Sequence, residues 1–244
     1  MRGRTLAATA AAALTASALV AAALFPLSLA LRIADAPIDG RPSGRVWNGT
    51  IDEASLRGVE LGTLRLRPSV LALLSGRLRS DVSMNGPAGS GEGVLSPRGG
   101  ALTVHKWEGR LSLHALGALD PFGRPLRGTA AFEVHEAVLT REGCQSGTVS
   151  AATDALQRAT NDLASVFAAP TLAGTGTCRG GVLMLPLRGE GPAGRVAVDL
   201  RLSGGGYVSD LIVSPSDPRA GPFLTRYGFQ RTPDGYSLLS RGDY

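Results

Sequence analysis

Gly181-Val182-Leu183-Met184-Leu185-Pro186-Leu187 and Arg195-Val196-Ala197-Val198-Asp199-Leu200-Arg201-Leu202 are separated by Gly189-Glu190-Gly191-Pro192-Ala193-Gly194, and this stretch decides the fold. Both runs alternate apolar and polar residues with a period of two, which places one apolar face on a core and leaves the other wet. The segment between them has the Gly-x-Gly-x-x-Gly form that elsewhere cradles a pyrophosphate. That use requires a helix N-terminus directly after the glycines, whereas here Pro192 interrupts and a strand pattern follows. The stretch therefore reads as a β-hairpin with a glycine-rich loop.

Working outward, the same alternation recurs in 62–67, 101–107, 110–114 and 131–135, with 207–213 as a last strand. Glycine-led runs at 76–82, 109–113 and 194–198 are loosely similar to one another, too irregular for a solenoid and consistent with a meander of hairpins. Two segments break the pattern. Residues 69–75 place Val70, Leu71, Leu73 and Leu74 after Pro68 and predict a short helix. Residues 153–168 place Leu156, Ala159, Leu163, Val166 and Phe167 at helical spacing, ended by Pro170. The expected fold is mainly β: an antiparallel sheet domain with one or two short helices.

Residues 6–31 carry no charged side chain and are dominated by Ala and Leu, with Arg2 and Arg4 before them and Arg32 after. A bilayer core of about 30 Å needs roughly 20 helical residues, so the segment is long enough to span. The leading arginines orient it N-in, with the remainder translocated. Ser28-Leu29-Ala30 also fits a signal-peptidase site, which makes a cleaved signal the rival reading. Both put the domain in the same compartment. The expected layout is an anchor or signal at 1–33, a linker at 34–43, a β-rich periplasmic domain at 44–214 and a Pro-containing tail at 215–244.

Charge and chemistry narrow the function. The net charge of +5 comes almost wholly from arginine, Lys106 being the one lysine, and the arginines are dispersed among Asp and Glu. This lacks the clustered basic stripe of a nucleic-acid binder, and an arginine and alanine bias suggests GC-rich bacterial coding. His105, His114 and His135 fall in the polar phase or at the ends of strands without metal-site spacing. No Gly-x-Ser-x-Gly elbow is present, and neither cysteine has a histidine nearby in sequence. The residues point to no enzyme, no metal and no cofactor. Cys144 and Cys178 lie in the translocated part, where an oxidising space favours their pairing, with two separate buried thiols as the alternative. A bridge would close a loop of about 35 residues, worth roughly 4 kcal/mol on the chain-entropy model.

Gly44-Arg45-Val46-Trp47-Asn48-Gly49 is followed by Gly58-Val59-Glu60-Leu61-Gly62, Leu64-Arg65-Leu66-Arg67-Pro68 and Leu73-Leu74-Ser75-Gly76-Arg77-Leu78. This series resembles the opening of the type II secretion system protein N (GspN) family. Cys144-Gln145-Ser146-Gly147 and Gly174-Thr175-Gly176-Thr177-Cys178-Arg179-Gly180-Gly181 are similar to the family's two-cysteine pattern. An aromatic often found before the Arg-Pro pair is replaced here by Leu64 and Leu66. The resemblance implies one inner-membrane helix, a periplasmic domain, and accessory work in exporting folded proteins through contacts with inner-membrane secretion proteins. The matched residues Gly44, Val46, Trp47, Gly49, Gly62, Arg67, Pro68, Gly76, Arg77 and Leu78 read as fold determinants, with Trp47 expected to plug a core. A second function fits the same strands: a carrier or shield for a lipid or other apolar molecule.

Overall fold

The computed structural model describes residues 24–33, 38–56, 58–117, 124–160 and 169–243. They form fourteen strands: β1 (Asp39–Arg45), β2 (Asn48–Leu56), β3 (Val59–Pro68), β4 (Ser80–Gly86), β5 (Gly89–Arg98), β6 (Ala101–Ser112), β7 (Thr129–Thr140), β8 (Gly143–Thr153), β9 (Leu172–Arg179), β10 (Val182–Gly191), β11 (Gly194–Ser203), β12 (Gly206–Pro215), β13 (Gln230–Thr232) and β14 (Gly235–Asp243). Four short helices accompany them: α1 (Leu27–Ile33), α2 (Val70–Leu74), α3 (Ala155–Ala159) and α4 (Ala220–Arg226). The strands make one antiparallel sheet in chain order through β12, then β14 and β13. This is the meander that the hairpin pattern predicts. The 189–194 segment is the β10–β11 turn, with Gly191 paired to Gly194.

The register aligns the apolar phases of successive strands into continuous rows. One row runs Ile51, Leu64, Met84, Gly91, Gly109, Phe132, Ala151 and Gly174, and resumes through Leu187, Val198, Leu211 and Leu238. Glycine takes the place of a large side chain at three of these points, and the sheet uses the space. A Cβ on Gly93 would stand 2.8 Å from both Cα and Cε3 of Trp107, and one on Gly91 would stand 2.9 Å from its Nε1. The indole therefore lies across the bare backbone of β5, filling with one aromatic the area that two β5 side chains leave open.

Two core clusters cover the ends of this face. Ile51, Ala54 and Leu64 pack with Leu27 of α1 at the N-terminal end. Leu172, Leu185, Leu187, Val196 and Val213 pack with Leu224 of α4 and with Phe229 at the other. Leu156 of α3 joins the second cluster.

Several expectations shift. The expected linker at 34–43 includes most of β1, which pairs with β2 from Asp39 onward. Its Asp-Gly-Arg-Pro composition is that of an exposed edge strand held mainly by backbone pairing, with an Arg41–Glu53 ion pair at 3.2 Å added across to β2. The two predicted strands at 101–107 and 110–114 are one strand, β6, carried through Glu108 and Gly109. The expected C-terminal tail is instead part of the sheet and core. Pro215 ends β12, and Pro222 sits in the first turn of α4, where a missing N–H costs no hydrogen bond. Of the helix expected at 153–168, Thr153 belongs to β8, Ala155–Ala159 is helical, and 161–168 lies outside the described residues. The predicted helix at 69–75 forms, with the Ser69 hydroxyl accepting from the Ala72 N–H at 3.3 Å.

Residues 1–23, most of the expected membrane segment, lie outside the described residues. Among those described, no helix is long and apolar enough to cross a membrane. The segment's end is in the domain. Pro26 bridges to Arg45, the Val46 N–H donates to the Phe25 carbonyl at 3.0 Å, and Leu27 is 4% exposed.

Candidate functional site

Between the two covered ends, the apolar phase of β5 to β8 faces a cavity of about 430 Å3. Val104, Trp107, Phe132, Val134 and Leu139 line it from β6 and β7, and Leu183 and Leu202 line it from β10 and β11. In a flat sheet β5 and β11 would stand six strand spacings, about 29 Å, apart. Sharing one small cavity requires the sheet to bend over this face. Tight packing of turns holds the bend: a Cβ on Gly204 would meet the Arg141 carbonyl at 3.0 Å and the Glu142 carbonyl at 3.1 Å, so the β11–β12 turn rests on the β7–β8 turn.

Bulges set which side chains reach the cavity. Pairing of β5 with β6 shifts between Val94 and Leu95, and pairing of β7 with β8 shifts between His135 and Val138. Glu136 takes a left-handed φ of 48° at the second shift. Each bulge brings residues three apart, Val104 with Trp107 and Ala137 with Val134, onto the same face. His105 lies at the first, half-buried, hydrogen-bonded to the Ser96 hydroxyl at 3.0 Å and 3.7 Å from Glu136 Oε1. It serves the bulge, whereas His114 and His135 are exposed on the surface. Among the described residues, no three His, Cys, Asp or Glu side chains are grouped to hold a metal ion.

The opposite face carries the charge. Arg67 pairs in register with Asp81, and Glu92, Glu108 and Glu133 are direct neighbours in one row, with Lys106 3.4 Å from Glu108. Asp154 marks the α3 end of β8. Burial pushes its carboxyl up, but the Thr129 N–H at 2.7 Å and the Arg158 guanidinium at 2.6 Å outweigh that and hold its pKa below the ordinary value. Beside α4, the Arg219 side chain and N–H lower the Asp217 carboxyl in the same way.

Cys144 and Cys178 form a disulfide, with Cα atoms 5.3 Å apart. It joins β8 to β9 at the end away from α3, closing the strand–helix–strand unit, and Cys144 borders the cavity. The other singled-out residues gather near the first four strands. Gly44 has φ 81° in β1, Gly49 is buried beneath Leu27, and Gly62 lies against Gly86, where a Cβ would come 2.5 Å from its Cα. Arg67 and Pro68 end β3, while Gly76, Arg77 and Leu78 follow α2 in exposed positions. Val46 and Trp47 make the β1–β2 turn. Trp47 is half-buried there and belongs to neither core cluster, because a two-residue turn sets the indole at the end of the sheet and not on its apolar face. The cavity itself escaped sequence reading, although Trp107 and Phe132 in alternating strands were its available signal.

A bent single-sheet meander, disulfide-braced and apolar on one face, defines a β-sheet module with a sheltered apolar surface. The chain belongs to the type II secretion system protein N family, whose model matches residues 40–238. Membership points to a component of a type II secretion system, associated with the cell envelope. No curated protein and no solved structure matches the chain.

Proposed function

We propose that this chain is a non-enzymatic component of the type II secretion apparatus, anchored in the inner membrane with its β-domain in the periplasm, and that it works through protein–protein contacts. The observation that carries the anchored reading is Leu27. Cleavage after Ala30 would cut through α1 and remove the side chain that closes Ile51, Ala54 and Leu64 from water. Residues 6–24 remain for the membrane; as a helix they would measure about 28 Å, within the roughly 17–25 residues that a bilayer span takes. The disulfide fits an oxidising compartment. For partners, the outer edge of β1 offers backbone groups that the sheet does not pair, in a strand exposed at six of its seven residues. Photo-crosslinking residues placed at Arg41 and Ser43 in secreting cells are expected to capture inner-membrane secretion proteins. Their absence, with secretion undiminished when the chain is deleted, would overturn the proposal.

The cavity favours a second reading, an apolar-ligand shield. A lipid with a photoreactive acyl chain would then label peptides containing Trp107 and Phe132. Labelling confined to residues 6–24 would count against it.

A further inference from the structure

We infer that α2 is a second membrane contact, an apolar finger that rests in the headgroup region of the same bilayer that residues 6–24 enter. The inference rests on the anchored reading above. α2 and its flanks expose Val70 at 55%, Leu71 at 80%, Leu73 at 43% and Leu78 at 45%. Four large aliphatic side chains within nine residues, outside both core clusters, are a patch that water alone does not stabilise. The helix is nonetheless ordered, by the Ser69 cap and by the Arg77 N–H donating to the Ala72 carbonyl at 2.9 Å.

Topology supplies the occupant. α2 joins the end of β3 to the start of β4, which is the end of the sheet where β1 turns into β2 at Val46 and Trp47. The Phe25 carbonyl binds the Val46 N–H at that turn, so the uncharged stretch 6–24 arrives at the same end as α2. The two connections are two strand spacings apart, about 10 Å. A bilayer holding residues 6–24 therefore lies within reach of Leu71. The surrounding charge matches anionic headgroups: Arg45, Arg67, Arg77 and Arg79 are exposed around the patch, with Asp81 opposite Arg67 as the one acid paired in register. Exposed apolar side chains on a sheet end that also carries these arginines and the half-buried Trp47 have the composition of an interfacial contact. The opposite end of β2, at Leu56, is 37% exposed and about 25–30 Å away along the strands.

The test uses the full chain in phosphatidylethanolamine–phosphatidylglycerol vesicles containing brominated phospholipid. Flotation reports whether residues 6–24 hold the bilayer. Emission added by Leu71→Trp, relative to the unaltered chain, is expected to lose more than half its intensity, and that added by Leu56→Trp to be unaffected. Arg77→Gln with Arg79→Gln should weaken the Leu71→Trp contact by about fivefold per charge, and less in phosphatidylcholine vesicles. Floating protein in which Leu71→Trp is quenched no more than Leu56→Trp overturns the inference alone and gives α2 to a protein partner. Protein that does not float overturns the anchored reading, and the inference with it.

Discussion

Replacing Leu27 by alanine tests whether the end of the hydrophobic segment is part of the folded domain. Leu27 is 4% exposed and packs with Ile51 at 0%, Ala54 at 1% and Leu64 at 8%. Its Cδ2 occupies space that a Cβ on Gly49 would enter at 2.5 Å, so the two positions are fitted to one another. Truncating a buried leucine costs about 2–5 kcal/mol, the transfer term plus the cavity left behind. This site lies under a seven-residue helix at one end of the sheet and can partly collapse, which selects the lower half, about 2–3 kcal/mol. For a protein of this length that lowers the melting temperature by roughly 5–10 °C. The assay is thermal unfolding of the full chain in mild detergent, followed by near-ultraviolet circular dichroism. Leu29→Ala is the control: Leu29 is 43% exposed on the same helix, so a cost within about 0.5 kcal/mol is expected. Equal shifts for the two variants, or a Leu27→Ala melt that overlays the parent, would refute the packing argument and restore the cleaved-signal reading.

Cys144→Ser with Cys178→Ser frees a loop of 34 residues' separation and is expected to cost roughly 4 kcal/mol, read as a lower denaturation midpoint with a somewhat steeper slope, because the unbridged unfolded chain exposes more surface. Gly93→Val forces a side chain into the Lys106 carbonyl and the Trp107 ring and should destabilise by at least about 3 kcal/mol. Gly76→Val, at φ 71° with open space around it, should cost only the backbone strain, about 1–2 kcal/mol. Asp154 has a folded pKa below the ordinary carboxyl value, so its contribution is complete above that ordinary value and is lost as pH falls through the folded pKa. Asp154→Asn is therefore expected to lower stability at neutral pH and to flatten its decline below about pH 4, measured by urea unfolding across that range.

The sheet was legible wherever its apolar phase carries large side chains, as in β6, β7, β10 and β11. It was illegible where that phase is glycine. Gly89, Gly91 and Gly93 in β5, and Gly174 and Gly176 in β9, give no hydrophobic period, because their area is filled by side chains such as Trp107 and Leu185 from the next strand. β1 was hidden for a different reason: an edge strand needs only backbone pairing, so its Arg, Pro and Ser match a linker. The C-terminal prolines looked like breakers because their tolerated positions, a strand end and a first helical turn, are defined by neighbours in space. Of the candidate site, the cysteines and the strand aromatics were visible in sequence. The cavity was not, since it depends on bulges at His105 and Glu136 and on turns that meet only after the sheet bends.

Connection lengths explain why the middle of the apolar face is the open part. The chain leaves the sheet to make covering helices before β1, between β8 and β9, and after β12, and these cover the first and last strands. From β4 to β8 the turns at 87–88, 99–100 and 141–142 have two residues each, which leaves nothing to fold back across β5, β6 and β7. The longer 113–128 connection closes on itself through the Leu113 N–H and the Gly128 carbonyl, at the end of the sheet away from the disulfide. Among the described residues, the shelter for Trp107 and Phe132 is therefore the bend itself, which brings Leu183 and Leu202 across from β10 and β11. A bend held by turn contacts and one disulfide is easier to open than a packed second layer. Loss of the Cys144–Cys178 bridge should consequently raise the exposure of β6 and β7 amides to hydrogen exchange before it exposes β11 and β12, which α4 holds independently.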